Sequence, residues 1–176
     1  MTVKSKPEYV YGKTLLSEEE YEKARKIILE LQEENLKLTE KGYGPFLAAI
    51  YDKKGNLIAK MPNTVAKEKC CLWHAEVNTI KKAAEVLKTY DFAPLDLDIY
   101  VTAEPCIMCA GAIMWSGIKR VFYGVNSADV ESITGFDEGF KPNWIQEFAE
   151  RNIEVYGEMH RYIPYLAKNA GFKKIT

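Results

Sequence analysis

The stretch Asp98-Ile99-Tyr100-Val101-Thr102-Ala103-Glu104-Pro105-Cys106-Ile107-Met108-Cys109-Ala110-Gly111-Ala112-Ile113 decides the fold. Its first six residues are mostly apolar, aromatic or β-branched, which predicts a buried strand. Glu104-Pro105 breaks the strand, because proline removes a ladder donor and constrains the residue before it. From Cys106 the chain reads as a helix to Ser116, closed by Gly117, and Arg120 to Val125 reads as the next strand. Strand, helix and strand in that order predict an α/β layered sheet.

Working outward, the alternation continues on both sides. Ser17-Glu18-Glu19-Glu20 is a capping-box pattern, in which a serine hydroxyl and a glutamate satisfy the free amides of a helix start. Ala24, Ile27, Ile28, Leu31, Leu36 and Leu38 then recur at roughly helical spacing until Lys41-Gly42. Pro45 to Tyr51 and Leu57 to Met61 predict a hairpin about the turn Asp52-Lys53-Lys54-Gly55-Asn56. A helix is predicted from Trp73-His74, with Val77, Ile80, Ala83, Ala84 and Leu87 on its apolar face. Helices over Trp144 to Arg151 and Glu158 to Asn169, with a short strand at Ile153 to Tyr156, complete the count. Residues 1–13 read as a loose arm, and residues 126–143 carry no assignable period. The 176 residues show no repeat and no boundary, so one domain over 1–176 is expected.

Composition excludes several classes. Lys and Arg number 24 against 25 Asp and Glu, and four of the cations are arginines. A chain that grips phosphate backbones carries a basic excess, so nucleic acid is disfavoured as the main partner. The longest apolar run, Cys106 to Trp115, is too short for a bilayer, which takes ~20 residues. No apolar stretch follows the first lysines, so no secretory leader is read. Four cysteines in two tight clusters, at 70, 71, 106 and 109, do not resemble a disulfide framework. The expectation is a cytoplasmic chain whose clustered thiols serve metal or redox chemistry.

The chemistry concentrates in His74-Ala75-Glu76 and Pro105-Cys106-Ile107-Met108-Cys109. Zinc takes imidazole nitrogen and thiolate sulfur in a tetrahedron, and a catalytic site keeps three protein ligands and one open position. His74, Cys106 and Cys109 supply three, with one zinc per chain. Cys106 and Cys109 share a helix face at i, i+3, and a helix N-terminus favours the thiolate. Glu76 stands free of the metal as the general acid and base, since zinc lowers the pKa of bound water toward neutrality. The competing readings are a redox Cys-x-x-Cys pair, or a closed structural zinc with Cys70 or Cys71 as fourth ligand. His160 reads as a surface or capping histidine.

His-x-Glu followed by Pro-Cys-x-x-Cys is the zinc-deaminase signature, and at these residues the chain resembles the cytidine deaminase superfamily, in its base and nucleoside branch. The likeness runs from Gly44 to Gly139, through Gly44-Pro45-Phe46, Pro62-Asn63, His74-Ala75-Glu76-Val77 and Val101 to Ile113. It implies a three-layer α/β/α sandwich with a mixed five-stranded sheet, assembled as a homodimer with sites near the interface. It also implies that Asn63 hydrogen-bonds the base or sugar, and that the amides of Ala75 and Cys106 and the carbonyl of Glu104 line the pocket. Trp115, Arg120 to Gly124 and Gly135-Phe136-Asp137-Glu138 are similar to guanine deaminases. There the tryptophan stacks near a purine and an acidic residue binds it or moves protons; Glu138 stands where the pattern has aspartate. The implied substrate is a free nucleobase or small nucleoside, most of all a guanine-like purine. A tRNA adenosine deaminase, a cytosine-type pyrimidine deaminase and a non-enzymatic zinc module are the alternatives, and Glu76 argues against the last. Phe136 and Glu138 place the 126–143 stretch in the pocket wall.

Overall fold

The computed structural model describes residues 10–11, 16–139 and 141–161. In chain order the elements are β1 (Val10–Tyr11), α1 (Glu18–Thr39), β2 (Leu47–Tyr51), β3 (Leu57–Pro62), α2 (Val65–Glu68) and α3 (Ala75–Leu87). They continue with β4 (Asp98–Ala103), α4 (Ile107–Ser116), β5 (Arg120–Val125), α5 (Ser127–Thr134), α6 (Trp144–Glu150) and β6 (Glu154–Tyr156). The sheet order is β1-β6-β5-β4-β2-β3. β2 pairs antiparallel with both β3 and β4, whereas β4, β5 and β6 run parallel. The five strands β2 to β6 form the expected mixed sheet. Val10–Tyr11 depart from the loose arm expected over 1–13 and pair with Tyr156 and Val155 at the edge.

Alternation along the strands builds the layers. Ala48, Ile50, Ile99, Val101, Val121 and Tyr123 face a core shared with α3, α4 and α6. Their neighbours Leu47, Ala49, Tyr100, Phe122 and Tyr156 face α1, which lays Ala24, Ile27, Ile28 and Leu31 against them. On that side Tyr51, Tyr100, Phe122 and Tyr156 form a row of rings across four strands, with centroids 5.4, 4.6 and 5.0 Å apart. Emptying such a core of one large aliphatic side chain costs about 2–5 kcal/mol, so Ile113, wholly buried on α4, is a stability residue. The capping box forms as read: the Ser17 hydroxyl accepts from Glu20 N, and Glu20 accepts from Ser17 N.

Two elements depart from the sequence reading. The stretch left without a period contains α5, capped by the Asn126 side chain, which accepts from Asp129 N. That helix has only eight residues and buries only Val130 and Thr134, too little for a legible stripe. Residues 158–161 are not helical, and the remainder of the helix expected to Asn169 lies outside the described residues. Along α5 and its following turn, Val130, Ile133 and Phe136 pack on Ala103 and Val125, at the ends of β4 and β5 from which α4 also starts. Among the described residues no helix is long and apolar enough to cross a membrane.

Candidate active site

Two helix starts meet at one point. His74 is the residue just before α3, and Cys106 the residue just before α4; both backbones are extended, with φ −67°. Neither side chain caps its helix. Such positions commonly carry Ser, Thr, Asp or Asn to satisfy the free amides, so here the cap positions are given over to another task. Cys109 lies in the first turn of α4 and is buried, with Ile113 anchoring the same helix below it.

The donors are spaced for a tetrahedral ion. Cys106 Sγ lies 3.5 Å and Cys109 Sγ 3.6 Å from His74 Nδ1. Bonds of about 2.3 Å to sulfur and about 2.0–2.1 Å to nitrogen, at tetrahedral angles, hold such donors ~3.6 Å apart. No further His, Cys, Asp or Glu joins this cluster among the described residues. Cys71 is exposed and lines the mouth of the cleft, Cys70 is half-buried, and neither closes the site as a fourth ligand. His160 is remote from it, with Nδ1 against Gln32 Oε1 at 3.1 Å. Three ligands with one position open is the catalytic pattern, so the residues fit zinc.

Charge at the corner follows from contact and burial. The two sulfurs share a proton: the Cys109 hydrogen bond, helped by His74, brings the Cys106 thiol down to about 4. Bonding to that thiolate, together with burial, pushes the Cys109 thiol up. A coordinating cation takes the place of the shared proton. The Cys106 hydrogen bond raises His74. Glu76, in the first turn of α3, is only 5% exposed. Burial, reinforced by the neighbouring Cys106, pushes its carboxyl up to about 7, a rise that a bound dication opposes.

These groups open into a cleft of about 540 Å³ lined by Pro45, Phe46, Asn63, His74, Glu76, Glu104, Cys106, Met108, Phe136 and Glu138, among others. Asn63 does two jobs. Its Oδ1 accepts from Val65 N at 3.1 Å, which identifies the oxygen and leaves Nδ2 as the donor at the cleft. Gly44 lies so close that a Cβ there would meet Asn63 Oδ1 at 2.5 Å. Ala75 is wholly buried behind the corner, and its amide is among the first of α3, where no intrahelical partner exists.

The far wall is the segment from α5 to Lys141. Glu138 O accepts from Ile107 N, the first amide of α4, at 3.1 Å, which docks this wall beside Cys106. A Cβ at Gly139 would meet Ile107 Cγ2 at 2.7 Å, so the dock is tight. Phe136 leans on Phe46, ring centroids 6.3 Å apart. Glu138 is held above the usual carboxylate range, at about 8, by burial and by the negative groups Glu76 and Cys106. Glu104 turns its side chain away to a buried cluster with Lys141, Ser127 and Trp144. Lys141 and Ser127 have no signal in the sequence, since neither residue type nor spacing marks them. Trp115 is the correction: it is 85% exposed on α4, neither lining the cleft nor packed in the core. Its place near the helix end turns it outward, away from Cys106 and Cys109.

A second cavity, of about 80 Å³, lies between α1 and the sheet. Its charges are matched to each other: Arg120 holds Asp98 through Nε at 2.8 Å and Nη2 at 2.6 Å, and Glu20 through Nη1 at 3.1 Å. That arrangement ties α1 to β4 and β5.

Comparison with known proteins agrees with the corner. Residues 19–125 match the cytidine and deoxycytidylate deaminase zinc-binding region. Guanine deaminase of Bacillus subtilis is 41% identical over 114 residues, covering 64% of this chain and 70% of that protein. The tRNA-specific adenosine deaminase of Rickettsia bellii is 39% identical over 85 residues, and the match spans little more than half of that protein, 57%, and 48% of this chain. Among solved structures, NE0047 in complex with 2,6-diaminopurine superposes with a TM-score of 0.78 at 32% identity, covering 87% of this chain and 85% of that one. With three zinc donors at tetrahedral spacing and a buried glutamate beside them, the chain belongs to the cytidine and deoxycytidylate deaminase family and is a zinc-dependent hydrolytic deaminase.

Proposed function

We propose that the chain removes the exocyclic amine of a free purine base or small purine nucleoside of the guanine type. The observation that carries this reading is the cleft itself. It pairs an open zinc position with the donor Nδ2 of Asn63, two phenyl rings and a second buried carboxylate, Glu138. Its volume of about 540 Å³ suits one heterocycle with or without a sugar. Likeness to Bacillus subtilis guanine deaminase and to a structure holding 2,6-diaminopurine supports the purine. The net charge of −1 weighs against a polyanion such as tRNA.

Zinc on His74, Cys106 and Cys109 supplies activated water at neutral pH. The remaining work falls to side chains. Phe46 and Phe136 together give the ring an apolar wall and exclude water, and Asn63 Nδ2 donates to a ring acceptor. The amides of Ala75 and Cys106 face negative charge that develops during attack. Glu76 takes a proton from the attacking water, passes it to the ring nitrogen beside the reacting carbon, and then serves the departing ammonia. A carboxylate poised near neutrality suits both directions of transfer. Glu138 contacts the amine-bearing edge of the base.

The protein is further read as a cytoplasmic homodimer in purine metabolism. Cysteines clustered as metal ligands rather than spread as a disulfide framework support a reducing compartment. The outward side of α4, with Ile107 at 55% and Trp115 at 85% exposure, supports an apolar interface. A solution-scattering mass of one chain would overturn the dimer.

The test of substrate is ammonia release from guanine, adenine, cytosine, their nucleosides and a tRNA anticodon stem, with Glu76→Ala as control. Turnover of guanine or its nucleoside by the parent alone supports the reading. Turnover confined to the RNA or to cytosine overturns it.

A further inference from the structure

Behind the wall of the cleft, outside the zinc corner, lies a buried ammonium bonded to the residues on either side of it. Lys141 has a side chain only 7% exposed. An ammonium has three protons and no acceptor, and Lys141 Nζ meets three acceptors. These are Glu104 Oε1 at 3.0 Å, Ser127 Oγ at 3.0 Å and, by a short bond, Pro105 O. Glu104 is held in turn by Trp144 Nε1 at 3.0 Å and by Ser127 N at 2.9 Å. The cluster thus joins the residue before Cys106, the first turn of α5 and the far wall.

Direction follows from counting protons. Lys141 cannot accept, so Ser127 Oγ receives a proton from it and gives its own to Glu138 Oε2 at 2.7 Å. The hydroxyl has a single proton and its orientation is therefore set. Oε2 of Glu138 is bound as an acceptor, so Oε1 faces the cleft and carries the proton when the carboxyl is neutral.

We propose that Lys141 and Ser127 are positioning residues, forming a one-way hydrogen-bond chain, Lys141 to Ser127 to Glu138, that sets which oxygen of Glu138 meets the substrate amine. The proposal rests on the reading of Glu138 as facing a guanine-type substrate. Without the chain, Glu138 rotates and either oxygen turns to the cleft, so the ring is held less well oriented. The buried carboxyl does not need Lys141 as a salt-bridge partner, because Glu104 neutralises that ammonium directly.

The experiment is a double-mutant cycle on the zinc-loaded protein with guanine, reading kcat/KM, zinc content and Tm. Ser127→Ala and Lys141→Met are each expected to lower kcat/KM about tenfold in the parent, as loss of a bond on a charged partner does. In a Glu138→Ala background, which removes the acceptor of Ser127, each should cost less than about twofold, because the chain has lost its object. Ser127→Thr keeps the hydroxyl and should restore the parent rate to within about threefold. Where Lys141→Met fails to fold, Ser127→Ala, which keeps the bond between Lys141 and Glu104, carries the cycle. If both losses persist undiminished in the Glu138→Ala background, the chain is structural support and the proposal falls while the role of Glu138 stands. If Glu138→Gln alone leaves kcat/KM unchanged, the reading of Glu138 falls, and the proposal with it.

Discussion

The two sides of the cleft are built by different means. The zinc corner rests on regular structure: two helix starts, each fixed by a core beneath it, present His74, Glu76, Cys106 and Cys109. The opposite wall anchors one short helix, α5, through Val130, Ile133 and Phe136 on Ala103 and Val125, but its carboxylate, Glu138, is placed by hydrogen bonds from Ser127 and by one docked carbonyl, Glu138 O on Ile107 N. A packed helix start keeps its geometry through many substitutions. A carboxylate placed by single bonds changes with each one. The difference suggests a division of labour, in which the corner fixes the reaction and the wall selects the ring.

Breaking the corner should have the largest effect. His74→Ala is expected to abolish zinc binding and activity together, checked by metal analysis and ammonia release, because two thiolates alone do not complete a catalytic set. Glu76→Gln sharpens the contrast: zinc content should equal that of the parent while kcat falls about 10²- to 10⁴-fold.

The wall should respond by less and in a different quantity. Glu138→Gln is expected to lower kcat/KM for guanine about tenfold to hundredfold, with zinc retained. It should also change the pH dependence of stability. The folded carboxyl sits at about 8 against an ordinary 4.5, so the native state holds a proton that the unfolded chain has released between those values. The contribution is complete below about pH 4.5 and is lost as pH rises through about 8. Melting curves across that window should therefore show Glu138→Gln gaining on the parent as pH rises.

The smallest effect belongs to Trp115→Ala, outside both walls. An exposed side chain gives a stability change within about 0.5 kcal/mol by denaturant titration. Its consequence should appear instead as a larger monomer fraction in sedimentation.

Much of the corner was legible in the sequence, because zinc demands rare residue types at fixed separations, and only two histidines and four cysteines compete for the role. The sheet was legible for a related reason: Leu47 to Tyr51 and Asp98 to Ala103 are apolar on both faces, as strands between two helical layers must be. The far wall was not. Serine, lysine and glutamate occur everywhere on solvated surfaces, and what distinguishes Ser127, Glu138 and Lys141 is burial, which no period in this stretch encodes. Trp115 misled for the opposite reason. It was singled out by the resemblance to guanine deaminases, but the helix carries it six residues beyond Cys109, past the cleft and out to the surface.

Gly44 shows how such a site can be altered without touching any reacting group. Its backbone is not in the left-handed region, so a side chain there is forbidden by space alone, by the amide of Asn63 at 2.5 Å. A methyl group at this position must displace the Asn63 side chain, and with it the bond from Val65 N to Oδ1 that aims Nδ2 at the cleft. In a library of variants, then, glycine at residue 44 is the condition for a correctly aimed amide at residue 63, and even alanine there should weaken the hold on any heterocycle.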